Sequence, residues 1–236
     1  FDLGSVVVRT ALRIDPVTTR VTAVSDPLPT FLHGIPLDLR ELRVDLDRAE
    51  FTRNPTDCEP AQVAATIAGS AGAGAERASR FQASGCAGLG FRPRLDLRVI
   101  GKTNRNAKPR FRAFLQTAPG EANLARAQVN LPHSEFLEQD HIRTICTRVQ
   151  FNAGAGNGAA CPPESIYGRA RAWTPLLAEP LEGPVYLRSS SHKLPDLVAA
   201  LGGQIDVALA GRIDSGPNGG IRTTFDFVPD APVSKF

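Results

Sequence analysis

Methionine is absent from the 236 residues, tryptophan occurs once, tyrosine twice, and lysine only at positions 102, 108, 193 and 235. With Phe1 in first place and no methionine anywhere, the sequence reads as a processed or excised piece whose original start lies elsewhere, any secretion signal having already been removed. No stretch approaches the roughly 20 consecutive apolar residues that a membrane helix requires, so membrane insertion is not expected. One tryptophan and two tyrosines are few for a fold that binds sugars mainly by stacking. Three signatures of chemistry are also missing. There is no Gly-x-Ser-x-Gly elbow for a nucleophilic serine, no His-Glu-x-x-His pair, and no Cys-x-x-Cys zinc clasp. No cofactor or metal is implied, and the chain is not expected to be an enzyme.

Charge of one sign is scarce as well. The 27 basic residues less the four lysines leave 23 arginines, and against 24 acidic residues the net charge is +3. The arginines alternate with Asp and Glu along most segments instead of forming the basic stripe of a nucleic-acid binder, so nucleic acid is not an expected partner. Arginine in place of lysine, with abundant alanine and glycine, matches a GC-rich genome. Hydrophobic residues at 42% and charged residues at 22% lie in the globular range, enough to bury a core in one large or two ordinary domains.

Four cysteines are present: Cys58, Cys86, Cys146 and Cys161. Of the three possible pairings, sequence order favours Cys58 with Cys86 and Cys146 with Cys161, each closing a local loop. Disulfides imply an oxidising compartment, outside the cell or at its surface. By loop entropy the shorter bridge contributes about 3 kcal/mol.

Period-two alternation sets the class as all-β. Residues 6–14 place Val8, Thr10, Leu12 and Ile14 on an inward face, and a turn at Asp15-Pro16 returns the chain through Arg20 to Val24. Residues 41–47 read as a half-buried strand with Leu42, Val44 and Leu46 on one side. Residues 63–67 and 78–83 flank a Gly/Ala turn at 72–75, a hairpin stapled near its open end by Cys58 and Cys86. Strands follow at 94–100, 110–115 and 124–131, and a hairpin pairs 205–213 with 221–227. Two short helices are expected, one from Ser134 towards Ile142 and one over 194–201, between Pro195 and the Gly202-Gly203 stop. The change of unit near residue 91 divides the chain into 1–91 and 92–236. The expected architecture is two β-sandwich or jelly-roll-like domains.

The run 145–151 (Ile-Cys-Thr-Arg-Val-Gln-Phe), Tyr167-Gly168-Arg169-Ala170, the run 183–197 from Gly183 through Ser189-Ser190-Ser191-His192 to Leu197, and the run 219–225 resemble large secreted proteins of unknown function encoded in actinobacterial genomes. A looser similarity reaches back to residues 54–58. The resemblance implies export, supplies no catalytic residue, and comes from proteins that continue past the position of Phe236.

Some constellations invite chemistry. His133 and His141 stand among three carboxylates, but eight residues leave them about 80° apart around a helix, which favours a solvated helix over a metal site. Ser189, Ser190, Ser191, His192 and Asp196 supply the residue types of a hydrolase triad, yet without an elbow they read as a Ser-rich turn with His192 bonding backbone. Asp45 with Asp47, and Asp206 with Asp214, could bind calcium or act on glycosidic bonds, but pairing with Arg on the same exposed face is the expectation. In residues 166–173 the odd positions are Tyr167, Arg169, Arg171 and Trp173 and the even ones are small. If the small face packs inward, the other presents an aromatic and cationic strip suited to sugar rings or an acidic partner. If Tyr167 and Trp173 are core, both arginines must be paired beneath neighbouring strands, and this structural role is the favoured reading.

The resulting expectation is an extracellular structural or cell-surface assembly protein, a homo-oligomer or polymer that forms filaments by strand addition through a terminal segment such as 2–10 or 232–236. The alternatives are a carbohydrate-binding or adhesive module using Tyr167, Arg169, Arg171 and Trp173, with polysaccharide as partner, and a secreted hydrolase using His192 or His133.

Overall fold

The structure of the chain, a computed structural model, describes residues 4–46, 48–49, 52–132, 142, 144–154, 156–216 and 219–236. The fold is all-β. Helix among the described residues amounts to α1 (Arg148–Asn152) and single 3-10 turns at Cys86–Gly88 and Pro163–Ser165. None is long and apolar enough to cross a membrane.

Eight strands form two-stranded antiparallel ladders: β1 (Thr10–Ile14) with β2 (Val21–Ser25), β3 (Phe31–Leu32) with β4 (Ile35–Pro36), β5 (Ala61–Ala68) with β6 (Gly74–Phe81), and β7 (Arg94–Ile100) with β8 (Arg110–Gln116). The rest form one six-stranded antiparallel sheet. Its members are β9 (Ala127–Asn130), β10 (Ile166–Ala172), β11 (Leu181–Arg188), β12 (Asp196–Leu201), β13 (Val207–Ser215) and β14 (Ile221–Phe225), in the order β10-β11-β12-β13-β14-β9.

The turns follow local chemistry. Between β1 and β2 the Asp15 carboxylate accepts from the Val17 and Thr18 amides at 3.0 and 2.7 Å, and these bonds, led by that from Thr18, hold its pKa below the ordinary value. Between β5 and β6, Gly72 adopts φ 85°, a left-handed conformation that costs glycine little. Ala61 faces Phe81 at the open end of that ladder, and the Cys58–Cys86 disulfide staples it there, as expected from sequence.

The core belongs to the large sheet, and the second disulfide, Cys146–Cys161, lies in it. On one face Cys146 and Phe151, carried by the disulfide loop, pack against Tyr186, Val198 and Ala200. On the other, Ala172, Leu181, Ala199, Leu201 and Val207 meet Leu177, Ile205 and Phe236. A side chain of this kind contributes about 1.5–3 kcal/mol by leaving water. Gly183 of β11 runs so close to the Ala200 carbonyl that a Cβ there has no room.

Three local expectations are corrected. Residues 194–201 are not helical, because 196–201 form β12 at the centre of the sheet. Covered on both faces, its Val198-Ala199-Ala200-Leu201 run is uniformly apolar and loses the period-two signal. Residues 41–46 form no strand, since no described segment pairs with them, and Leu42, Val44 and Leu46 are 71%, 71% and 69% exposed. Nor does the β1 face point inward, for Leu12 is 70% exposed. Apart from Ile142, the helix expected at 134–142 lies outside the described residues, as do Asp47, His133 and His141.

Candidate functional site

The site begins with the alternation of β10. Gly168, Ala170 and Ala172 lie on the side of Val185 and Leu181, which Ala170 and Ala172 join in the core beneath the sheet. The small face is therefore the inner one. This reverses the favoured expectation that Tyr167 and Trp173 are core: Tyr167, Arg169 and Arg171 are exposed and Trp173 is half-buried.

The four residues do not act alike. A β-bulge between Ile166 and Gly168 sets Tyr167 apart, and its hydroxyl donates to the Thr144 carbonyl at 3.3 Å. Arg171 pairs with Glu182 of β11 at 2.6 Å and lies over the Trp173 ring, 5.4 Å from its centroid. Arg169 forms no ion pair among the described residues.

Trp173 is held by a part of the chain that sequence reasoning placed elsewhere. Its amide donates to the Lys235 carbonyl at 2.8 Å, and its own carbonyl accepts from the Ser234 amide at 2.8 Å. On the opposite edge of the same segment, Leu115 and Phe236 exchange amide-to-carbonyl bonds at 2.9 and 2.8 Å. Lys235 therefore forms isolated antiparallel bridges with Gln116 at the end of β8 and with Trp173 just past β10, and this short segment links the β7–β8 ladder to the edge of the large sheet. Both edges of residues 234–236 are used within the chain.

This seam gathers cations and rings on one face. The Lys235 ammonium lies 4.8 Å from the Trp173 centroid and 5.4 Å from that of Phe114, and the Arg98 guanidinium is 5.9 Å from Phe114. A groove of about 360 Å³ opens beside them, lined by Arg94, Asp96, Arg98, Phe114, Gln116 and Lys235. No local pattern marked Lys235, because its partners Gln116 and Trp173 are distant in sequence. Its only cue was its rarity.

The Ser-His-Asp candidate has a different arrangement from a triad. His192 Nε2 lies 2.8 Å from Asp196 Oδ1, while Ser190 Oγ donates to the carbonyls of His192 and Leu194 and accepts from the His192 amide. Ser190 thus closes a turn and is not bonded to the imidazole. Correcting the expectation of a backbone partner, the ring bonds a carboxylate that also receives Arg188 Nη2 at 3.2 Å. Arg188 in turn lies over the Phe151 ring at 5.2 Å. Ser189 Oγ accepts from the Arg148 amide at 3.0 Å.

Of the other candidate carboxylates, Asp214 and Asp45 pair with arginine as expected, whereas Asp206 has no ion pair among the described residues, against the expectation. Asp214 receives Arg222 through two bonds of 2.7 and 2.9 Å, which hold the Asp214 carboxyl below its ordinary pKa. Asp45 receives Arg43 at 2.9 Å. Among the described residues no three His, Cys, Asp or Glu side chains converge in a way that could hold a metal ion.

No protein-family model matches the chain, and no curated protein or solved structure matches it either.

Proposed function

We propose that the chain is an extracytoplasmic structural protein of cell-surface assemblies, and that it associates with further copies of itself through the apolar faces of its two-stranded ladders. The observation that carries this reading is the distribution of burial. Among the described residues none before Cys146 is buried, although β1, β5, β7 and β8 all carry large apolar side chains. Leu95, Leu97, Val99 and Phe111, which share one face of β7–β8, are 56%, 55%, 49% and 52% exposed. A two-stranded hairpin is marginal in water by itself, and an apolar surface of this extent belongs to an interface.

A second copy is the occupant best matched to these faces. A two-fold contact sets the same face of β7–β8 against itself, apolar side chain against apolar side chain, while the charged side chains on the other face of the ladder stay in water. The two disulfides support an oxidising location, where such a protein would work among surface polymers. Sedimentation velocity of the intact protein and of Leu97→Asp tests the association. The wild type sediments as oligomers and the variant moves towards monomer; equal sedimentation of both at the monomer rate would refute the reading.

A second reading, a carbohydrate-binding or adhesive module, is favoured by the outward orientation of Arg169 and Arg171 on β10 and the half-exposed Trp173 directly after it. The two are compatible, because that strip lies on the sheet face opposite the β7–β8 apolar side.

A further inference from the structure

We infer that the face built around Lys235 is a binding site for an anionic polysaccharide, one bearing carboxylate or sulfate groups. This deepens the second reading above and rests on it.

In an antiparallel ladder, residues directly opposite one another project from the same side of the sheet. Arg98 faces Arg112, Asp96 faces Phe114, and Arg94 faces Gln116 across β7–β8. Gln116 then faces Lys235, Lys235 faces Trp173, and Arg171 faces Glu182 on β11. Side chains far apart in sequence are thereby set on one continuous face only because residues 234–236 fill the gap between β8 and β10.

The face is cationic. It carries Arg94, Arg98, Arg110, Arg112, Lys235, Arg169 and Arg171, seven cations, against the two carboxylates of Asp96 and Glu182, a balance of five positive charges. The carboxylates are already engaged, Asp96 with Arg98 at 2.7 Å and Glu182 with Arg171 at 2.6 Å. Arg94, Arg112, Lys235 and Arg169 have no carboxylate partner among the described residues. Adjacent strands stand about 4.8 Å apart, so a polymer lying across them meets a cation from each of β7, β8, the seam and β10 in turn. A shallow groove of about 360 Å³ lies beside Arg94, Gln116 and Lys235.

The rings decide between kinds of polyanion. Single-stranded nucleic acid binds by stacking bases on free aromatic faces. Here Phe114 has both Arg98 and Lys235 against it, and Trp173 has both Arg171 and Lys235. What the face offers a ligand is therefore charge and hydrogen-bond donors. The rings hold the cations in place, and Lys235, set between two of them, is the central residue.

The test is binding of the intact protein to immobilised polygalacturonate, neutral dextran and single-stranded DNA, at low and high salt. Polygalacturonate should be retained and dextran not, with affinity falling as salt screens the exposed charges. Lys235→Gln and Arg169→Gln, which leave the backbone seam intact, should each weaken retention about threefold to fivefold, and Lys193→Gln, outside this face, should not. Retention of dextran in a Trp173-dependent manner, with polygalacturonate no better, would overturn the anionic assignment while leaving the binding-module reading in place. Retention of neither polysaccharide would remove both. Tighter retention of DNA, lost in the same variants, would assign the face to nucleic acid and overturn the polysaccharide.

Discussion

Lys235 and Trp173 are backbone partners and ring-and-cation partners at once: the Trp173 amide donates to the Lys235 carbonyl at 2.8 Å and the Lys235 ammonium lies 4.8 Å from the indole centroid. Because Trp173 is the only tryptophan, its fluorescence reports on the seam alone. Phe236→Pro removes the amide that donates to the Leu115 carbonyl, a bond worth about 0.5–1.5 kcal/mol. Because the same change also takes the Phe236 ring from the cluster of Ala199 and Leu201, the expected outcome is a red-shifted Trp173 emission and faster hydrogen exchange at the Leu115 and Trp173 amides, with exchange in the β5–β6 ladder unchanged.

Helix α1 offers a contrast within five residues. Phe151 is 1% exposed and stacks edge-on against Tyr186 with ring centroids 6.0 Å apart, while Val149 is 82% exposed. Phe151→Ala should cost about 3–5 kcal/mol by opening a cavity under the sheet. Val149→Ser should change stability by about 0.5 kcal/mol or less. Chemical denaturation followed by circular dichroism measures both.

The two disulfides should differ in their resistance to reduction. Cys146 is fully buried, whereas Cys58 and Cys86 are both partly exposed beside a ladder with no buried residue. Mild reductant followed by alkylation and peptide mass spectrometry should label Cys58 and Cys86 first. Replacing Cys146 and Cys161 by alanine should then cost about 3 kcal/mol, as expected for a loop of this length.

Acid should loosen one junction before the sheet. The Asp230 carboxylate is partly desolvated, which raises its pKa, but bonds from Asn123 and Thr56 outweigh this and leave it below the ordinary value. It accepts from Asn123 Nδ2 at 2.7 Å and from the Thr56 amide and hydroxyl at 2.9 Å each, tying 56–57 to 123 and to the C-terminal segment. A carboxylate with a depressed folded pKa stabilises above its unfolded value of 3.8 and loses that contribution as pH falls through the folded one. Protection of the Thr56 and Asn123 amides, measured as exchange relative to the intrinsic rate at each pH, should therefore fall as the pH drops below about 4, and Asp230→Asn should show reduced protection already at neutral pH without further acid response.

Much of this organisation was legible wherever the physics is local. Residues 94–100 alternate because one side carries Leu95, Leu97 and Val99, and they form β7; the hairpin of β13 and β14 followed from the same pattern. The disulfide pairing followed from sequence order. The signal failed where burial is two-sided, as in β12, and where alternation has no partner, as in 41–46. Helix α1 was missed although Thr147 and Gln150 form a complete capping box, a Thr-x-x-Gln pattern visible in the sequence. The seam was not legible at all, because three residues at 234–236 acquire their role only from two strands far upstream.

The central claim is that the apolar faces of the ladders are covered by other copies of the chain. Light scattering coupled to size-exclusion chromatography, run from dilute to concentrated protein, tests it most directly. A mass that climbs above the 25.2 kDa of one chain as concentration rises is the predicted result. A mass fixed at 25.2 kDa throughout, with the ladders protected from hydrogen exchange, would contradict it.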